Sequence, residues 1–317
     1  MATNGDEMNV LNPVARTILQ GLYDSQSPFH LLLGMHYILK TIWSDIVTYW
    51  KSCIKLSDDS NLSYVKLKWG YHHTTSDLNW IVRFPTPHNI DINMMPFIME
   101  KQFHNTKLPE YLRSYWDEII RQCIVKNDVG KIGYLTIQES YVDQGSSQRR
   151  AGIHTESPGV VLLKRSKGEA QHFPAFDRGF WGHGVAKCDL NLEGGIYMAS
   201  NVENSCTVWD CQILRSEGNC PDAVGIHGDI EHLREFLPPE SEVMAANTLY
   251  WITDRTPHEA LPQNEGTYRQ FFRLVTSEVS FWFQDHSTKN PLGVVPDPEF
   301  TKILKGSKFD GSFHLAD

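Results

Sequence analysis

KIGYLTIQES, residues 131–140, opens a succession of strand-length runs. After it come RRAGIHTE (149–156), GVVLLKRS (159–166), GGIYMAS (194–200), CTVWDCQIL (206–214), NTLYWIT (247–253) and YRQFFRLVTSEVSFWF (268–283), each bounded by Gly, Pro, Asn or Ser. About seven short strands in succession, with no helices alternating between them, argue for a β-sandwich or barrel rather than βαβ units. One short helix, DIEHLREFL (229–237), interrupts them, with Asp229 as its N-cap.

Upstream of Lys131 the texture differs. Asn12-Pro13 reads as a helix start, a capping side chain followed by a residue whose missing N–H costs nothing there. Beyond Ser27-Pro28, the residues Leu31, Leu32, Met35, Ile38, Leu39, Ile42, Ile46 and Tyr49 repeat at three and four, the stripe of a scaffold helix lying on a sheet. YVKLKWGYHHTT (64–75) and LNWIVRF (78–84) read as two strands around the turn at Ser76-Asp77, and PHNIDINMMPFIM (87–99) as an extended irregular connection. Leu108 to Ile124 returns to helical spacing. The expectation is one domain over residues 1–317, mainly β with flanking helices: a largely helical N-terminal support, 1–130, beside a β core, 131–285.

A net charge of -9 gives no general attraction for phosphate backbones or anionic lipid, so a nucleic-acid partner is disfavoured. His30, His36, Lys40, Asp45 and Lys51 break the most apolar stretch, Pro28 to Ile54, and exclude a membrane span there. The first residues, MATNGDEMNVLNP, lack the basic-then-apolar pattern of a secretory leader. The six cysteines include no CxxC pair, and the spacing of Cys206, Cys211 and Cys220 does not match a zinc module; free thiols in a reducing, cytoplasmic setting are expected.

The chemistry is carried by HTE, His154-Thr155-Glu156. Residues two apart on a strand project from one face, so His154 and Glu156 form a candidate pair of metal ligands. Two imidazoles and one carboxylate on one face of an iron(II) ion leave positions open for a co-substrate and dioxygen. His258, in NTLYWITDRTPHEALP (247–262), supplies the second imidazole about a hundred residues on. His-x-acid pairs also arise by chance, and an exposed strand-end pair is the alternative. The rival His227-Gly228-Asp229 leaves too few residues before His258 for the intervening strands. After PQNEG (262–266), read as a hairpin turn, the returning strand carries Arg269 and Arg273 on one face, with Arg269 nearly opposite His258. A guanidinium there suits the distal carboxylate of a small diacid.

HTE, a distant His, then Arg eleven and fifteen residues further on resembles the 2-oxoglutarate/iron(II) oxygenase superfamily, and within it the taurine dioxygenase and clavaminate synthase branch. The Glu of HTE is similar to the clavaminate synthase and asparagine oxygenase members, where most of the superfamily has Asp. The resemblance covers Lys131 to about Phe283. It implies a double-stranded β-helix (jelly-roll) core, iron(II) on His154, Glu156 and His258, and 2-oxoglutarate held by Arg269 with Thr207 donating a hydroxyl. It leaves the order of Arg269 and Arg273 open. Arg273 and Arg150 are then the expected contacts to a small carboxylate-bearing substrate, with Trp209, Tyr197, Phe271 and Trp251 as candidates for its apolar rim. An oxygenase of the same barrel without 2-oxoglutarate, or a non-catalytic binding barrel, are the other readings.

Overall fold

The computed structural model describes residues 28–67, 82–159, 161–162, 176–177, 179–187, 191–215, 222–225, 227–308 and 312–316. The helix start at Asn12-Pro13, the pair His72-His73, Cys188 and Cys220 lie outside them. The chain divides into two compact units, residues 1–54 and 55–317. The first contains one long helix, α1 (Pro28–Ser52), whose last turn carries Lys51 against the negative end of its dipole. Among the described residues no helix is long and apolar enough to cross a membrane.

The second unit is mainly β. Its strands used below are β1 (Tyr64–Leu67), β2 (Asp91–Ile98), β3 (Ile132–Val142), β4 (Ile196–Ser200), β5 (Cys206–Val208), β6 (Glu242–Val243), β7 (Leu249–Ile252), β8 (His258–Ala260), β9 (Thr267–Val275), β10 (Phe281–Phe283), β11 (Lys302–Lys305) and β12 (His314–Leu315). A six-stranded sheet runs β1-β7-β4-β9-β3-β2, a three-stranded sheet runs β6-β5-β8, and a third runs β10-β11-β12. None of them closes on itself. The β region therefore begins well before Lys131, because β1 and β2 form the two edges of the large sheet.

β2 occupies the stretch expected to be irregular. A bulge between Ile92 and Met95, with Met94 at φ 49, breaks the period of two that would have betrayed it, and Pro96 is tolerated because β2 is an edge strand. In the other direction, RRAGIHTE forms no extended strand. His154 makes isolated bridges to Asp229 and His258, and the flanking residues are loop. Asp229 is thus a bridge partner and not a helix cap; the short helix is 3-10, over Glu231–Phe236, with Ile230 at its N-cap.

Alternation along the central strands gives the large sheet two buried faces. Leu135, Ile137, Tyr197, Ala199, Trp251, Phe272 and Leu274 point to one side and pack with Leu112, Tyr115, Trp116, Ile119 and Ile120. These last belong to a helical run, Glu110–Cys123, that includes a π turn at Trp116–Ile120. The expected helical buttress is therefore this run. Met198, Tyr250, Ile252, Phe271 and Val275 point the other way and share a core with Cys206 and Val208 of the small sheet.

Candidate functional site

His154 and His258 are brought together by main-chain bonds. Each donates its N–H to the other's carbonyl at 3.0 Å, the close pair of an antiparallel ladder, and their rings lie 4.4 Å apart between centroids. The neighbouring chain is anchored by Thr155 N–H to Gly228 O at 2.9 Å and Ser157 N–H to Asp254 O at 3.0 Å. Gly228 is required there: its φ is 83, and a Cβ would stand 2.2 Å from the Thr155 carbonyl oxygen.

Each imidazole has its tautomer set by a backbone acceptor. His154 Nδ1 lies 2.8 Å from Gly152 O and His258 Nδ1 lies 3.0 Å from Thr256 O. A carbonyl only accepts, so each Nδ1 carries the proton and each Nε2 keeps its lone pair. His258 Nε2 is buried with no hydrogen-bond partner and stands 3.6 Å from Glu156 Oε1. Burial first, then the charges of His258 and Arg150, hold His154 well below the usual histidine range, so it is neutral near pH 7. Burial works to raise the Glu156 carboxyl, but Arg273 and then His258 outweigh it and hold it well below the usual carboxylate range.

Two imidazoles whose Nδ1 atoms are held by backbone carbonyls, beside an ionised carboxylate, are a donor set that suits a divalent first-row metal ion. The buried, unpartnered His258 Nε2 is the atom such an ion would satisfy. As the side chains stand, no group of three His, Cys, Asp or Glu among the described residues is arranged to coordinate a metal. Arg273 Nη1 donates to both Glu156 oxygens, at 2.7 and 2.6 Å.

These residues open on a cavity of about 560 Å³. β9 lines it with Arg269, Phe271 and Arg273, as their shared parity requires. Their register partners on β3 are Ser140, Gln138 and Thr136. Arg269 is 1% exposed, donates Nε to Ser200 Oγ at 3.1 Å, and leaves Nη1 buried without a partner. Burial pushes it down to about 10, still charged at neutral pH. Arg269 and His258 are not opposite each other on a hairpin. β8 belongs to the small sheet and β9 to the large one, so PQNEG is a crossover and the two side chains meet at the cavity from different sheets.

Thr207 is turned away. It lies between Cys206 and Val208, which face the interior, and its hydroxyl donates to Glu242 O at 3.2 Å; the wall at that strand is Cys206. Burial pushes the Cys206 thiol up to about 12, so no thiolate competes for a metal. Arg150 sits at the mouth, exposed, with Nη1 on His227 O at 2.7 Å and 3.6 Å from Asp229. Of the four expected rim aromatics only Phe271 lines the cavity, while Tyr197 and Trp251 belong to the opposite core and Trp209 is buried elsewhere. Trp181, Phe281, Trp282, Phe283 and Phe313 supply the aromatic wall, with Lys308 beside them.

Three lining residues, Arg149, Asn93 and Met94, had no sequence signal. Arg149, and not only Arg150, reaches the cavity, because this segment is loop and strand parity does not apply. Asn93 and Met94 enter through the bulge in β2. Compared with known proteins, the chain has no match among family models, curated proteins or solved structures.

Proposed function

We propose that the chain is a non-haem iron(II), 2-oxoglutarate-dependent oxygenase acting on a small carboxylate-bearing molecule, plausible classes being amino acids and their derivatives. The observation that carries this reading is one cavity holding two Nε2-facing imidazoles, an ionised carboxylate and a buried guanidinium with an unsatisfied donor. In this reading the large and small sheets are the two walls of a double-stranded β-helix, the protein works in the cytoplasm, and neither nucleic acid nor membrane is a partner.

His154, Glu156 and His258 would hold the iron, and Arg269 the distal carboxylate of 2-oxoglutarate. Iron(II) with dioxygen and 2-oxoglutarate would supply the oxidising chemistry for hydroxylation, desaturation or oxidative cyclisation; for hydroxylation, substrate–H plus O₂ plus 2-oxoglutarate gives substrate–OH, succinate and CO₂. The chain's part is positioning. The main-chain pair fixes both imidazoles, the Gly152 and Thr256 carbonyls fix their tautomers, and the aromatic wall excludes water. Arg273, which sits on Glu156 in the structure, would share or release it when iron binds and then face the substrate.

That same Arg273–Glu156 pair favours a second reading, an anion-binding module without metal. The two separate by measuring succinate released from 2-oxoglutarate under air, with iron(II) and a panel of amino acids and small carboxylates. Iron-dependent succinate, stimulated by a panel member, supports the oxygenase. Ligand binding without any iron-dependent succinate supports the module.

A further inference from the structure

The cavity carries more positive charge than iron and 2-oxoglutarate use. Arg149, Arg150, Arg269 and Arg273 line it, Arg150 standing 3.6 Å from Asp229 at the mouth, and Glu156 is the one carboxylate among the described residues that lines it. Lys308 adds an ammonium, pushed down to about 8 by burial and then by Arg273 and Arg149. Iron(II) and the 2-oxoglutarate dianion cancel, so with Arg150 set against Asp229 the other three guanidinium groups still outnumber the single carboxylate by two. An excess of this kind lining a cavity favours anions from the ligand.

Arg149 is held by a built structure. Gln148, beside it, pins the loop to both central strands, donating Nε2 to Ser140 Oγ at 2.9 Å and to Arg269 O at 3.1 Å. Arg149 Nη1 donates to Gln138 Oε1 at 3.2 Å, and its guanidinium lies 5.2 Å from the Phe271 ring centroid, the same distance as Arg269. Its hydrogen-bond and ring partners are thus neutral, with the Glu156 and Asp91 carboxylates acting on it only at longer range, and its Nε and Nη2 make no hydrogen bond to any described residue. That edge presents two parallel donors, which matches a carboxylate. Gln148 Oε1, buried and unpartnered next to it, offers an acceptor to the same ligand.

We propose that Arg149 forms a second anion subsite beside Arg273, and that the substrate is a small dicarboxylate with one carboxylate read by each. This rests on the oxygenase reading in reserving Arg269 for 2-oxoglutarate and in freeing Arg273 from Glu156 when iron binds.

The test is calorimetric titration of a matched pair, N-acetyl-L-aspartate and N-acetyl-L-alanine, under anaerobic conditions. It is run on the protein loaded with iron(II) and saturating 2-oxoglutarate, and again on metal-free protein with 2-oxoglutarate. The dicarboxylate is expected to bind at least about tenfold more tightly. Arg149→Gln should reduce that preference to about threefold or less while leaving 2-oxoglutarate affinity and N-acetyl-L-alanine affinity in place. Arg149→Lys should keep part of it. Equal affinities in the wild type, or a preference that survives Arg149→Gln in a folded variant, would overturn the subsite. Failure to retain iron with the dicarboxylate preference intact in metal-free protein would count against the oxygenase reading alone.

Discussion

The two faces of the large sheet use the same strands for opposite ends. On the helix-covered face sits a buried carboxylate, Glu139, register partner of Gln270. It accepts from Tyr115 Oη at 2.7 Å, Gln270 Nε2 at 2.9 Å, His88 N–H at 2.7 Å and Ile90 N–H at 2.9 Å. At odd offsets from Glu139 and Gln270 on the same strands, the cavity face presents Gln138, Ser140, Arg269 and Arg273. There Arg269 Nη1, Arg273 Nε, Gln148 Oε1 and His258 Nε2 are buried without partners. A saturated network holds a fold together; an unsaturated one in a cavity is poised for a ligand. The difference says that stability lives on one face and binding on the other.

Substitutions on each face should break that comparison if it is wrong. The largest stability effect is expected from Glu139→Ala, which strands four donors and should cost on the order of 3 kcal/mol in denaturant unfolding. Burial opposes the Glu139 charge, but the Ile90, Tyr115, His88 and Gln270 hydrogen bonds win and lower its pKa from 4.5. Its contribution is therefore fully present above pH 4.5 and fades as pH falls through the lowered folded value, and Glu139→Gln should flatten that acid limb. A Glu139→Ala variant as stable as wild type would remove this face from the account.

Next comes Arg269→Met. Removing a buried cation with an unmet donor should leave Tm unchanged or higher. It should nonetheless weaken 2-oxoglutarate about ten- to a hundredfold, measured by equilibrium titration. A clear loss of Tm with affinity retained would make Arg269 structural. If Arg273→Ala weakens 2-oxoglutarate and Arg269→Met does not, the roles of the two arginines are exchanged. The smallest effect belongs to Thr207→Ala: with its hydroxyl on Glu242 O, it should change 2-oxoglutarate affinity less than about threefold and stability by about 1 kcal/mol or less. A tenfold loss of affinity would return Thr207 to the cavity.

Much of this was legible from pattern alone where pattern has a physical cause. β3, β4, β7 and β9 alternate between two different environments, and the shared parity of Arg269 and Arg273 follows from that. HTE and His258 were legible as residue types, and the structure brings their side chains to one cavity. What failed was local geometry. β2 was hidden by Pro96 and the bulge at Met94, and two isolated bridges at His154 stand where a strand was read, which put Arg150 forward and left Arg149 out. The register across PQNEG was lost because a turn of hairpin length joins two sheets, a fact no short-range signal carries. Thr207 was put forward by the resemblance, while the face it takes is set by Cys206 and Val208 turning inward.

The central claim is that His154, Glu156 and His258 hold iron(II) in the cavity that Arg269 serves. It is tested most directly by anaerobic titration of the protein with iron(II), followed by 2-oxoglutarate, watched in the visible spectrum. The account predicts one iron per chain and a weak charge-transfer band that appears with 2-oxoglutarate, is lost in His258→Ala and needs a higher 2-oxoglutarate concentration in Arg269→Met. A wild-type protein that binds no iron, or a band undiminished in His258→Ala, would contradict it.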